Sequence, residues 1–471
     1  MIVLIKNLFN PGIYYKRLLL PLFLLGLATT FIFGSYQMGF AFILLFSFGA
    51  VFLVLALLTP ELLAVLFLSA GVLKEWVQTN IPLFQSVDFT LMMAFLSIVS
   101  IFIYRLRKNK LFDIPLDISF LPFFLFSIFL LIGNLYSPSP EYAQLKSSSF
   151  FIFNGLLFFT PVLFIDSSKK ALHFIWWYVA IAVPVVLYTL IHLLTSYLSG
   201  DILEMYRATF MGVNPIKYAN WLGSLTVLLL CVFQLLKSKL MKSLHIFIIS
   251  ILIISILAAN SRGPFVGFII TIFTLMVIWF IKTSHKRYFL YTISGIVFVV
   301  ILLLNFLPVQ LIGRYLELIG TAKGVPKDVV SDYTVFSRML FWKKAIATFL
   351  LNIRTFFIGV GTGGFSRVLY HLDIRWYPHN IIFEVLSEMG IIGIILLFFQ
   401  FFFVLRDGIR NLFRDIDKET KVIYFSFIMV IFFNLITVQF SGDLNDNRRL
   451  WFYLGSLVAL NISAKEKAKQ S

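Results

Sequence analysis

Three residues carry the chemistry this sequence could perform: Arg262, Arg338 and His379. Arg262 lies in Asn260-Ser261-Arg262-Gly263-Pro264, a tight break between two apolar runs. Gly263 permits an unusual backbone angle there, and Pro264 suits the first turn of the next helix. An arginine in so short a turn presents a permanently charged fork to a phosphate group. Snorkelling to lipid head groups accounts for the same position. Arg338 opens Ser337-Arg338-Met339-Leu340-Phe341-Trp342-Lys343-Lys344, which leads to the glycine-rich Gly359-Val360-Gly361-Thr362-Gly363-Gly364-Phe365. Such a loop can cradle phosphate through its N–H groups, although a loop that merely ends a helix has the same composition. His379 stands in Tyr377-Pro378-His379-Asn380, directly before an apolar run. An imidazole with a pKa near ~6.5 can accept the proton of a hydroxyl at neutral pH.

The neighbours of these residues widen the candidate site. Asn380, Glu384 and Glu388 are spaced by four and share one helix face. Carboxylates entering a membrane span are costly, so they mark function or pair with arginine inside the bundle. The last polar connection, Ser441-Gly442-Asp443-Leu444-Asn445-Asp446-Asn447-Arg448-Arg449, braces the site electrostatically or caps the final helix. Asn380, Glu384, Glu388, Asp443, Arg448 and Arg449 are therefore expected to bind substrate around Arg262, Arg338 and His379. The nearest approach to a metal-binding DxD pair is Asp443-Leu444-Asn445-Asp446, which lacks that spacing. Neither a metal nor another cofactor is expected.

The elements that must position these residues are membrane spans. The 471 residues are 60% hydrophobic and 13% charged, against roughly 45–50% and ~25% in a soluble domain. About 14 apolar runs follow one another, from 18–35 to 448–463, and lipid permits them only as helices. The third, 61–74, is short and follows Pro60, which suggests a re-entrant segment. The expectation is an all-α polytopic membrane protein of about 12–14 transmembrane helices, a single integral domain over residues 1–471. The basic segment Met1 to Arg17 then leads into a retained first span rather than a cleaved signal. With the N-terminus in the cytoplasm, the even-numbered connections from the fourth onward are basic, and with the N-terminal segment and the C-terminal tail they hold 23 of the 39 Lys and Arg residues. The net charge of +17 is thus topological and calls for no nucleic acid. Cys231, the only cysteine, sits inside an apolar run and can form no internal disulfide.

The same orientation puts Arg262, Arg338 and His379 on the extracytoplasmic side. The large connection 309–379 is expected there, with short helices that include an amphipathic one over 336–350. A transporter or flippase would gather ionisable groups near the bilayer midplane. Polar groups at the outer ends of the spans favour surface chemistry instead.

Ser261-Arg262-Gly263, Ser337-Arg338 through Gly359-Val360-Gly361-Thr362-Gly363, and His379-Asn380 followed by Glu388-Met389-Gly390 resemble, in their order, the O-antigen ligase and polymerase superfamily. The resemblance covers roughly residues 215–460; the N-terminal half agrees only in hydropathy. It implies a glycosyltransferase of the C type in the bacterial inner membrane, with an undecaprenyl-diphosphate-linked glycan as donor. Arg262 and Arg338 would bind the diphosphate, and His379 would act as general base on, or orient, the acceptor hydroxyl. The acceptor would be a second lipid-linked repeat in a polymerase, or lipid A-core in a ligase. The chain length and the Asp/Asn/Arg-rich last loop lean towards the polymerase, although its Arg-x10-Gly pattern has no obvious counterpart here. Besides membrane lipids, a chain-length regulator is a candidate partner.

Overall fold

The computed structural model describes residues 53–54, 56–80, 85–113, 115–200, 208–282 and 333–470. Two apolar runs, 18–35 and 288–308, lie outside them, as do most of 38–58 and the first part of the large connection. The described residues form helices and no strands, as expected of a chain that must satisfy its backbone within lipid. Nine helices are long and apolar enough to cross a membrane among the described residues. The protein is an all-α polytopic membrane protein.

In chain order the helices are α1 (Pro60–Asn80), α2 (Phe89–Arg107), α3 (Phe120–Gly133), α4 (Pro140–Phe164), α5 (Ser168–Ser199), α6 (Pro215–Val232), α7 (Lys239–Ala258), α8 (Arg262–Lys282), α9 (Tyr333–Phe349), α10 (Ile353–Ile358), α11 (Phe365–Tyr370), α12 (Ile381–Leu412), α13 (Lys418–Thr437) and α14 (Arg448–Gln470). The expectation of a short re-entrant third run is corrected. Pro60 opens α1 rather than breaking it, because proline's missing N–H costs nothing in a first turn, and 21 residues then suffice to span. The run predicted over 148–166 starts eight residues earlier, at Pro140. Its first turns are polar, so hydropathy alone missed them.

The helices pack through aromatic rings. Phe123 stacks on Phe158 at 4.5 Å, and Phe150 meets Trp451 edge-on at 5.1 Å, joining α3, α4 and α14. Trp221 and Tyr178 are fully buried and bonded through Tyr178 Oη to the Trp221 carbonyl at 2.6 Å, which ties α5 to α6. Large apolar side chains such as Phe95, Phe102, Phe247 and Phe273 face outward, suited to hydrocarbon.

The two ends of the bundle differ. One gathers the connections 108–117, 165–167 and 413–417 with the tail of α14. There Lys465 pairs with Asp117 at 2.6 Å and Asp407 at 3.1 Å, and Lys170 pairs with Glu61 at 2.5 Å. The opposite end carries α9 to α11, the starts of α4, α6, α8, α12 and α14, and the connection 438–447.

Candidate active site

The start of α12 places His379. Asn380 caps the helix, its Oδ1 accepting from the N–H groups of Ile382 and Phe383 at 2.9 and 3.1 Å. Its Nδ2 donates to the Gln439 carbonyl at 3.1 Å, and Ile381 N–H donates to the Val438 carbonyl at 3.3 Å. Both bonds pin α12 to the end of α13. His379 itself takes φ +59°, a left-handed conformation that non-glycine residues adopt at a cost and that often accompanies function. Its half-buried ring lies 4.5 Å from Tyr377, 6.1 Å from Trp376 and 6.2 Å from Phe341 of α9. Trp342 Nε1 donates to the Pro378 carbonyl at 3.0 Å and holds the same turn against α9. Arg338, one turn before Phe341, acts electrostatically on the imidazole. Burial first, and then the Arg338 charge, push the His379 pKa down to about 4, because both oppose the imidazolium.

Arg262 reaches this end of the bundle by another route. Asn260, with φ +48° and no exposed surface, makes the turn between α7 and α8. The positive backbone angle expected at Gly263 falls on Asn260 instead, since the amide residue tolerates that conformation. Gly263 serves close packing: a Cβ there would stand 3.0 Å from Cβ of Phe440. Residues 437–440 thus separate the start of α8 from the Asn380 cap, and Arg262, Arg338 and His379 share one end of the molecule.

Beneath His379 the two carboxylates of α12 meet a lysine. Lys146 of α4 has a fully buried side chain, with Nζ 2.5 Å from Oε1 of Glu384 and 2.6 Å from Oε2 of Glu388. Each carboxylate also grips a backbone. Oε2 of Glu384 accepts from Leu444 N–H at 3.0 Å, and Oε2 of Glu388 accepts from Gly363 N–H at 2.8 Å. Glu384 and Glu388 were expected to bind substrate. About 1% of their surface is exposed; both oxygens of Glu384 and Oε2 of Glu388 have partners, whereas Oε1 of Glu388 is buried without a hydrogen-bond partner among the described residues. Asn380, 7% exposed, is committed to its cap and to the Gln439 carbonyl.

The glycine-rich loop is equally committed. Gly390, at φ +62°, breaks α12 and frees the carbonyls of Ser387 and Glu388, which accept from Val360 and Gly361 N–H at 3.0 Å. Gly359 and Gly364 donate to Thr355 and Gly361 carbonyls. Thr362 bonds by its hydroxyl to the Leu130 carbonyl at 2.7 Å. Most of the loop's N–H groups are thus used to join helices.

The connection 438–447 is organised by Asp443, which is 1% exposed. Its Oδ1 accepts from Asp446 N–H at 2.7 Å, and its Oδ2 pairs with Arg375 at 3.1 Å. Asp446 pairs with Arg375 at 2.8 Å and with Lys217 of α6 at 3.4 Å. Asp443 thereby orders the loop. Arg448 lays its guanidinium over the Phe153 ring at 4.7 Å. Arg449 turns into the bundle, 9% exposed and beside Tyr178 and Tyr453.

Residues 246–398 match the O-antigen ligase family. The match supports the O-antigen ligase and polymerase family for this chain, and with it a membrane ligase- or polymerase-type role that implies a lipid-linked glycan donor and an acceptor. No curated protein matches the chain. The matched stretch runs from α7 to the middle of α12, so it contains Arg262, Arg338, His379, Glu384 and Glu388. Lys146, Asp443 and Arg448 lie beyond it, and the ligase-family stretch is thus completed by flanking helices.

Sequence reasoning missed Lys146, Arg375 and Lys217. A lone lysine among Tyr142-Ala143-Gln144-Leu145 carries no motif. The available signal was arithmetic: two carboxylates committed to a span require a buried cation, and an arginine was sought where a lysine supplies it.

Proposed function

We propose that this chain transfers a glycan from undecaprenyl diphosphate to a sugar hydroxyl, on the extracytoplasmic face of the bacterial inner membrane. Arg262 and Arg338 hold the diphosphate, and His379 takes the proton of the acceptor hydroxyl. The acceptor oxygen bonds to the anomeric carbon as the bond from that carbon to the diphosphate breaks. Guanidinium groups receive the leaving charge without a metal ion, and direct displacement inverts the anomeric centre.

One observation carries this reading: the half-buried His379 ring lies 6.2 Å from that of Phe341, one helical turn from Arg338, at the end of the bundle where Arg262 also lies. The pairing is disadvantageous without donor, because Arg338 suppresses the basicity of His379. A bound diphosphate offsets that charge, so donor binding raises the imidazole pKa towards the operating pH and readies the base. The family description, O-antigen ligase, supports single transfer to lipid A-core. The ordered polar loop 441–447 supports a second lipid-linked repeat as acceptor, hence a polymerase.

The test is purified protein incubated with lipid-diphosphate glycan and either acceptor. A ladder identifies the polymerase, one addition the ligase, and NMR of the product reads the anomeric configuration. Transfer that persists undiminished in Arg262→Ala and Arg338→Ala refutes the diphosphate assignment; retention of configuration refutes direct displacement.

A further inference from the structure

A second cluster of charged side chains lies beside His379, on the segment before α12 rather than on α9. The ring of Tyr377, 4.5 Å from that of His379, carries the Arg375 guanidinium 5.9 Å above its centroid. Arg375 is 53% exposed at its side chain, yet Asp443 and Asp446 fix it. Asp446 is reached in turn by Lys217, 41% exposed. The order across the surface is aromatic ring, cation, carboxylate, cation, contributed by the segment before α12, the connection 438–447 and the start of α6.

The chemistry of this array differs from that of a phosphate site. Asp446, partly exposed among Arg375, Lys217 and Arg448, would repel an anion, and with Asp443 it consumes much of the charge that an anion needs. A neutral polyol gains from it. Sugar hydroxyls donate and accept, so alternating donors and acceptors held in place by one another satisfy several hydroxyls without reorganisation. The fixed planar groups limit the entropy lost on binding, and an aromatic ring nearby suits the apolar face of a pyranose. Position adds a second argument. His379 must touch both the donor's reacting carbon and the acceptor hydroxyl. With Arg338 of α9 assigned to the donor, Tyr377, whose ring is 4.5 Å from that of His379 against 6.2 Å for Phe341 of α9, is the group beside the imidazole left for the acceptor.

We propose that Tyr377, Arg375, Asp446 and Lys217 form the acceptor subsite, which holds a sugar ring whose free hydroxyl points at His379. The proposal rests on the glycosyl-transfer reading for the identity of the sugar as acceptor. Two sources share this chemistry, a second lipid-linked repeat and lipid A-core.

Two measurements on the full-length protein in nanodiscs test it. Saturation-transfer NMR follows the oligosaccharide released by mild acid from the donor, and so reads sugar binding without turnover. Steady-state kinetics with each acceptor in separate arms reads KM for donor and acceptor independently. Arg375→Gln and Asp446→Asn should each raise the acceptor KM about tenfold or more, with donor KM unchanged, since each removes a charge-assisted bond. Tyr377→Phe should preserve acceptor KM and Tyr377→Ala should raise it. The doubly substituted Arg262→Ala, Arg338→Ala protein should lose turnover and still bind the free oligosaccharide. An acceptor KM that does not move in Arg375→Gln, or a donor KM that rises equally, overturns the subsite. Oligosaccharide binding that depends on Arg375 in a protein that transfers to neither acceptor would uphold the sugar subsite and overturn the transfer reading instead.

Discussion

A histidine packed among Phe341, Trp376 and Tyr377 and facing Arg338 is a poor proton acceptor until that arginine's charge is offset. The sign is set by two effects in the same direction: burial penalises the imidazolium, and Arg338 repels it. The acid limb of kcat/KM, which reports free enzyme, should therefore fall near pH 4 rather than near the ordinary value of about 6.5. The limb of kcat at saturating donor should lie higher. Arg338→Met should move the kcat/KM limb upward while lowering donor affinity. Identical limbs near 6.5 in both parameters would remove the arginine–histidine coupling. Arg338→Lys should rescue transfer poorly, because an ammonium keeps the charge and loses the planar fork; full activity of that variant would argue for a simple counter-ion.

Helix α12 is the element on which the site depends. Its cap carries His379, its first turns present Glu384 and Glu388 to Lys146, and its break at Gly390 frees the carbonyls that hold the glycine-rich loop. Removing one member of a buried ion network leaves uncompensated charge. Lys146→Met should therefore destabilise the protein by about 3–5 kcal/mol. Adding Glu384→Gln and Glu388→Gln to that variant should recover much of the loss, read as thermal unfolding in nanodiscs. No recovery in the triple variant would mean that Lys146 contributes through packing alone. Gly359→Ala tests the loop. A Cβ there would run into the backbone of Glu388 and Met389, which cannot move aside as a side chain can, and φ is +70°. The expected outcome is loss of the folded protein at 37 °C, measured by size-exclusion chromatography; an active, monodisperse variant would contradict this packing.

At the scale of the whole molecule, the proposed sidedness follows from two chemically distinct ends. Basic connections such as 108–110 gather at one end, and Arg262, His379 and the connection 438–447 at the other. Cys231 is buried, so Cys231→Ala offers a background for labelling. In it, His371→Cys and Asn445→Cys should react with a membrane-impermeant maleimide added outside spheroplasts, whereas Lys108→Cys should react only after permeabilisation. Labelling of His371→Cys and Lys108→Cys from the same side would overturn the topology and the proposed extracytoplasmic site together.

Much of this was legible without coordinates. Hydropathy and charge determine that the chain spans a membrane many times, because lipid leaves backbone polar groups no partner except a helix, and the cost of moving cations fixes their clustering in alternate connections. The motifs around Arg262, Arg338 and His379 were visible because each is local: a turn, an amphipathic start, a helix cap. Only tertiary structure decided what lies between them. Lys146, 238 residues from Glu384 in sequence, became its partner through the packing of α4 on α12, which no spacing rule encodes. Long-range contacts likewise give Asn380, Glu384, Glu388 and Asp443 partners within the bundle. In a dry bundle every buried polar atom must find its partner within the protein, and which atoms remain for a ligand is settled by that long-range pairing.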